Sequence, residues 1–269
     1  MQSEPGAQIR IDTLPNLRDL GGWSAGGGRR VRGGLIFRST DLDRLDARGI
    51  ELVGALCLRT VVDLRTATER QAAPDRVPPD ATPVVCDVLS DAPDAAPAQL
   101  RKVMADPRNA GAILGDGKAE AMFEQGYRQI VRLPSALAAY RRFFATLATE
   151  DRRPLLFHCT TGKDRTGWAA AVTLTLLGVS ADDVMRDYIL TNDQLLPALR
   201  PVVDRFAAAG GNPNLLQPVL GVLPEYLEAA FDEARHRYGS MDGYLAVGLG
   251  IDDGLRQRLR DDLTEEAAR

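Results

Sequence analysis

Apolar and polar positions divide the chain into short strands and longer helical stretches. Residues 1–34 are rich in glycine, among them Gly21, Gly22, Gly26, Gly27, Gly28, Gly33 and Gly34. That composition reads as turns and a hairpin, leading into a short strand over 35–38. Residues 46–58 place Ile50, Leu52, Val53 and Leu56 at helical spacing. A buried strand follows over 60–65, and the charges at its C-terminal end fit the ligand edge of a parallel sheet. Residues 84–86 form a further strand candidate. Between 87 and 120, Ala, Asp, Pro and Gly dominate. This region reads as a mobile active-site loop and a helix near 98–104, with disorder as the alternative for part of it.

From Ser135 onward the pattern sharpens. Ser135 can cap a helix that carries Leu137, Tyr140, Phe144 and Leu147 on one face. Pro154 precedes the apolar strand Leu155-Leu156-Phe157. A ten-residue polar loop, His158 to Gly167, leads into a helix over about 166–177, with Gly178 placed as its C′ residue. Ser180 and Asp183 have the spacing of a capping-box-like start for the next helix, through Tyr188 and Ile189. The remainder, to about 263, reads as helical with breaks at Gly210-Gly211, Pro213 and Gly239. Strands that alternate with helices early, and helices late, predict an α/β fold: a central, mostly parallel sheet with flanking helices.

Composition narrows the possibilities without changing this picture. The chain has 269 residues, 45% hydrophobic and 26% charged, and no Ser/Gly/Pro linker divides it, so one domain over 1–269 is expected. No apolar run reaches the ~18 residues of a membrane span. The N-terminus lacks a basic segment followed by an apolar one, so the expected location is cytoplasmic, or exported without a cleavable signal peptide. A net charge of −4 argues against a nucleic-acid binder. Lysine occurs only at 102, 118 and 163. The three cysteines, Cys57, Cys86 and Cys159, cannot all pair within the chain, which points to a reducing compartment rather than a disulfide framework. Only two histidines, His158 and His236, are present and there is no CxxC pair, so no metal site is expected.

The chemistry lies between Cys159 and Arg165. A loop between strand and helix, opened by a cysteine and closed by an arginine, can curl so that its N–H groups face one concavity at the positive end of the helix. A phosphate accepts several such donors at once. The guanidinium of Arg165 adds a planar fork for two more oxygens. Gly162 permits the tight bend. The same dipoles, with Arg165, favour the Cys159 thiolate over the thiol. A thiolate at the base of a phosphate cradle is placed for in-line attack on phosphorus, and the phosphoenzyme formed is then hydrolysed by water. No cofactor is needed, because the cradle holds the spreading charge. Of two other readings, one fails and one is poor. Gly162-Lys163 is followed by Asp164, which excludes a G-x4-G-K-[ST] nucleotide loop. His158 adjoins Cys159 directly and is poorly placed as the base of a cysteine protease.

The segment HCTTGKDRTG resembles the loop H-C-x-x-G-K-D-R-[TS]-G of the atypical bacterial tyrosine phosphatases, whose activity covers phosphotyrosine, phosphoserine/threonine and phosphoinositides. Asn16-Leu17-Arg18-Asp19 resembles the family's N-[FL]-R-D, Phe37-Arg38-Ser39 with Leu42 its F-R-S-x-x-L, and Asp63-Leu64-Arg65 its D-L-R strand. In the C-terminal half, Asp187-Tyr188, Asn192-Asp193, Gly221-Val222, Glu225-Tyr226-Leu227, Tyr238-Gly239-Ser240 and Gly243-Tyr244-Leu245 are similar as well.

The resemblance implies a cysteine-phosphatase fold with Cys159 as nucleophile and Arg165 as phosphate ligand. Thr160, Thr161, Gly162, Lys163 and Asp164 complete the phosphate-binding loop. His158 matches the residue that keeps the thiolate ionised, and Thr166 the hydroxyl that stabilises it as a leaving group. Lys163 matches a lysine shared with inositol-lipid phosphatases. Thr161 departs from the family's usual small residue. The family's general acid follows its D-L-R strand near F-P-D. Here Cys86-Asp87-Val88-Leu89-Ser90-Asp91 lacks the proline, so Asp91 aligns with one inserted residue, Asp87 is the runner-up, and Asp164 could instead transfer the proton. Lid segments are expected over 95–125 and after Asn192. The expected function is a protein-tyrosine phosphatase of broad specificity acting on a phosphorylated protein, or alternatively a phosphoinositide phosphatase. A non-catalytic phosphate-recognition module and a rhodanese-like sulfurtransferase are the competing classes.

Overall fold

The computed structural model describes residues 4–92 and 96–267, and is silent on the side chains of 96–99 and 101. Of the segments read from the sequence, positions 1–3, 93–95 and 268–269 lie outside the described residues.

The central sheet holds β1 (Arg18–Asp19), β3 (Ile36–Ser39), β4 (Thr60–Asp63), β5 (Thr82–Val85) and β6 (Leu155–His158), in the order β1-β3-β6-β4-β5. All pairs are parallel except β1 with β3. Register explains why these segments are strands. Phe37, Leu156 and Val61 stand abreast, and they pack with Leu14, Leu45 and Val53 on one face. The rows on either side, Ile36 with Leu155 and Phe157 with Val62, join the larger core on the other face. A sheet buried on both faces requires such continuous apolar runs.

The first face is covered by α1 (Ala47–Gly54) and the N-terminal segment. After β4 comes the short helix α2 (Ala67–Ala72). On the other face lie α3 (Ala96–Ala105), α4 (Ala110–Leu114), α5 (Lys118–Arg132), α6 (Pro134–Leu147), α7 (Asp164–Leu177) and α8 (Ala181–Ala208). The chain continues through α9 (Gln217–Leu220), α10 (Pro224–Tyr238), α11 (Met241–Gly243) and α12 (Asp253–Leu263). The glycine-rich start forms the turn read from its sequence, with Ser24 bridged to Arg30. Its strand β2 (Arg29–Val31) also pairs with the C-terminal β7 (Thr264–Glu266), which joins the two ends of the chain. No helix among the described residues is long and apolar enough to cross a membrane.

Gly178 terminates α7 as expected, with φ +91 and Val179 N–H donating to Leu174 O. Ser180 caps α8. That helix runs on to Ala208 through Pro197 and Pro201. Both prolines lie on the exposed side of the helix, where water can satisfy carbonyls left without an N–H partner. Ser135 does not take its expected place: α6 begins at Pro134, and Ser135 lies inside the first turn. The helix N-terminus is satisfied instead by Asp91, whose Oδ2 accepts from Ser135 N at 2.7 Å.

Candidate active site

Strand β6 delivers His158 to the C-terminal edge of the sheet, and the chain turns through 159–163 into α7. Gly162 makes the turn possible. Its φ is +66, and a Cβ there would lie 2.1 Å from the Ser39 carbonyl oxygen. A side chain is therefore barred by both conformation and space. Cys159 opens the loop and is 1% exposed. Thr160, Thr161, Lys163, Asp164 and Arg165 line one cavity of about 580 Å³ beside it. A larger cavity, about 810 Å³, opens between α8 and α9, but it shares only Leu220 with the first and none of the loop residues reaches it.

Arg165 is held by a residue the sequence reading missed. Glu69 Oε2 accepts from Arg165 Nη1 and Oε1 from Nη2, both at 2.7 Å. The same carboxylate takes Thr160 Oγ1 at 2.6 Å and the Thr66 N–H at 2.9 Å. Glu69 is thus the third residue of a capping box on α2 and also the brace of the arginine fork. Burial works to raise its proton affinity, but Arg165 and Thr160 override this and hold the carboxyl well below the usual range. The Thr66-x-x-Glu69 spacing directly after the D-L-R strand was its signal in the sequence.

Behind the loop lies a buried ionic lattice. His158 Nδ1 bonds Cys159 O at 3.0 Å, and Nε2 lies 3.2 Å from Asp75 Oδ2. The second contact has the distance of an ion pair without the alignment of a hydrogen bond. Burial disfavours the imidazolium, but Asp75 outweighs it and raises the His158 pKa. Asp63, Asp75 and His158 approach closely enough to resemble a metal site. Arg65 already supplies the positive charge, with Nη2 2.8 Å from Asp63 and 2.6 Å from Asp75. Asp41 adjoins this lattice at 3.3 Å from Arg65 Nη1 and lines the cavity. Burial and neighbouring Asp43 push its carboxyl up to about 7.

The candidate proton donors occupy different surroundings. Asp91 and Asp87 do not line the cavity. Asp91 is engaged at the start of α6, and Asp87 accepts from Ala67 N and Leu89 N, both at 3.1 Å. Asp164 does line it, with Oδ1 accepting from Tyr127 OH at 3.0 Å and from Lys163 Nζ at 2.9 Å. Lys163 Nζ also lies 4.1 Å from the centroid of the Phe123 ring. The remaining walls are apolar: Leu100, Met104, Phe123, Val219 and Leu220. The first three come from the 95–125 stretch read as a lid. Thr166 is fully buried, and its hydroxyl has no partner among the described residues. Cys86 follows β5, two strands from Cys159 across β4. At ~4.8 Å per strand that separation exceeds the ~7 Å reach of a disulfide.

Comparison with known proteins agrees with this geometry. Residues 9–265 match the model of a tyrosine phosphatase family. A Cupriavidus necator protein provisionally named a tyrosine-protein phosphatase is 34% identical over 254 residues, covering 91% of this chain and 85% of that one. The triple specificity protein phosphatase PtpB of Mycobacterium tuberculosis is 32% identical over 276 residues, covering 91% and 95%. A tyrosine-protein phosphatase of Nostoc commune is 27% identical over 160 residues, covering 58% and 48%. A match of this extent, over a sheet edge that carries the Cys159–Arg165 loop, means that the chain belongs to the tyrosine phosphatase family.

Proposed function

We propose that this chain hydrolyses phosphomonoesters through a cysteinyl-phosphate intermediate, with phosphotyrosine as the principal substrate. One observation carries the reading: a buried Cys159 opens a loop whose Arg165, braced by Glu69, closes onto a cavity with apolar walls. The cradle at the N-terminus of α7 suits the phosphate dianion, and the walls suit an aryl ring.

The chemistry proceeds in two balanced steps. The Cys159 thiolate attacks phosphorus, so that an S–P bond forms as the P–O bond to the leaving group breaks. The leaving oxygen takes a proton from Asp164. Water then attacks the phosphorus and returns a proton to Asp164, and the S–P bond breaks to give inorganic phosphate and the thiolate. Arg165 and the loop N–H groups carry the charge on the equatorial oxygens throughout. His158 opposes protonation of the thiolate by its charge, and the unpartnered Thr166 hydroxyl is available to it as a donor. Asp164 is preferred to Asp91 as the acid because it faces the cavity. Its side chain is 28% exposed, and Tyr127 and Lys163 engage only Oδ1.

A second reading, a phosphoinositide phosphatase, draws support from Lys163, which brings a further cation to the cavity. Turnover on phosphotyrosine peptide, phosphoserine peptide and phosphoinositide, with Cys159→Ser as the control, tests both readings. The first expects the highest kcat/KM on the phosphotyrosine peptide. A higher value on the lipid overturns it in favour of the second.

A further inference from the structure

We propose that Asn16, together with Arg38, is a positioning residue that holds the phosphate cradle open from behind. The inference rests on the reading of the Cys159–Arg165 loop as that cradle. Asn16 is fully buried and stands 146 positions from Gly162 in sequence. Its Nδ2 donates to Gly162 O at 3.1 Å and to Thr161 O at 3.4 Å. Arg38 Nη2 donates to the same Gly162 oxygen at 2.8 Å.

These bonds matter because a trans peptide points its carbonyl and the following N–H in opposite directions. Drawing Gly162 O backward turns the Lys163 N–H toward the cavity side. Drawing Thr161 O backward does the same for the Gly162 N–H. The two preceding carbonyls are tied in the same sense: Cys159 O by His158 Nδ1 at 3.0 Å, and Thr160 O by the Asp41 N–H at 3.1 Å. Four consecutive carbonyls, from 159 to 162, are thus anchored outside the loop, and the N–H groups of 160 to 163 are left to the anion. Aligned N–H dipoles repel one another in an empty loop. Anchors on the opposite side hold them in place before substrate arrives, and such preorganisation is what makes an oxyanion site effective.

The anchor is itself oriented. Asn16 Oδ1 accepts from Arg18 Nη1, so the amide cannot flip and Nδ2 must face the loop. Arg18 Nε bonds Asp187 Oδ1 at 2.9 Å, while Arg38 Nη1 bonds Asp187 Oδ2 at 2.7 Å. One carboxylate on α8 therefore aligns both arms of the clamp. Burial would raise the Asp187 pKa, but the two arginines lower it and keep the carboxylate charged. Asn16 occupies φ +60, a left-handed conformation that asparagine tolerates better than most side chains.

A buried amide that merely fills space predicts a different outcome from a clamp, and two variants separate them. Asn16→Ala removes the donor. Asn16→Asp keeps the volume and the bond from Arg18 but presents an oxygen to Gly162 O. Each would be compared with wild type on p-nitrophenyl phosphate, with orthovanadate as a transition-state-like inhibitor and thermal melting as the fold control. Both variants are expected to lower kcat by ~10- to 100-fold with little change in KM, and to weaken vanadate by a similar factor. A folded variant whose kcat and vanadate affinity stay within about twofold of wild type overturns the clamp. So does a loss of kcat without a loss of vanadate affinity. A wild-type protein inert toward p-nitrophenyl phosphate would instead overturn the phosphatase reading itself.

Discussion

The Glu69 carboxylate meets the Arg165 guanidinium edge to edge, with both N–O distances at 2.7 Å. A carboxylate so near the proposed phosphate site would repel the substrate if it stood alone. Paired in this way, it fixes the plane of the arginine fork and leaves the net charge of the site to the backbone dipoles and neighbouring cations. Glu69→Gln keeps the shape and removes the charge. It is expected to lower kcat/KM at least ~10-fold and to destabilise the fold by roughly 3 kcal/mol at pH 7. Because the Glu69 pKa is depressed in the folded state, its contribution is fully present above the unfolded value of ~4.3 and is lost as pH falls toward the folded value. The melting temperatures of variant and wild type should therefore converge in acid. A constant gap from pH 7 down to pH 2 would argue against the ion pair as the cause.

The proton donor can be identified through the leaving group. An alkyl alkoxide needs a proton, whereas p-nitrophenolate leaves without one. Asp164→Asn is expected to depress alkyl phosphate turnover by up to ~10²–10⁴ and p-nitrophenyl phosphate turnover far less. Asp91→Asn and Asp87→Asn, neither of them in the cavity lining, should affect the two substrates equally. If Asp91→Asn alone shows the leaving-group dependence, the donor is Asp91 and the assignment to Asp164 is wrong.

Asp41 should impose a measurable pH dependence on stability. Its carboxyl, pushed up to about 7 by burial and Asp43, lies above the ordinary aspartate value of ~3.9, so the native state retains a proton that the unfolded chain has released. Stability from this group therefore falls as pH rises from about 4 and levels off above about 7. Asp41→Asn is expected to match wild type at pH 4 and to exceed it at pH 8, by a difference of order 2–4 kcal/mol. Denaturant melts at the two pH values check this, and equal stabilities at pH 8 would refute it.

Arg165→Lys keeps a positive charge but loses the planar fork that Glu69 braces and that the proposed function offers to phosphate. A loss of at least ~100-fold in kcat/KM is expected, with the fold retained by circular dichroism. Near-normal turnover would make Arg165 a structural residue only.

Much of the architecture is local and could be read in order along the chain. The segments at 60–63 and 155–157, with Val61-Val62 and Leu155-Leu156-Phe157 at their centres, are strands because both faces of the sheet are buried, and Gly178 ends α7 because glycine tolerates φ +91 there. The Cys159–Arg165 loop was also legible in sequence, since the cradle proposed for it is built from contiguous backbone. Asp91 is a different case. Its alignment to a general acid rests on one assumed insertion, and in the fold its carboxylate accepts from Ser135 N at the start of α6.

Glu69, Asn16 and Asp187 show the same limit from the other side. They lie 96, 146 and 149 positions from the groups they hold, Arg165, Gly162 and Arg38. No local periodicity encodes such distances. The sequence by itself determined the loop, its nucleophile candidate and the strand–helix frame, because these depend on neighbours along the chain. Only the tertiary structure decided which carboxylate braces the arginine, which aspartates reach the cavity and which side chains anchor the loop carbonyls. A hydrogen bond or ion pair requires its partners within about 3 Å, and for residues far apart in sequence only the packed sheet and helices establish that distance.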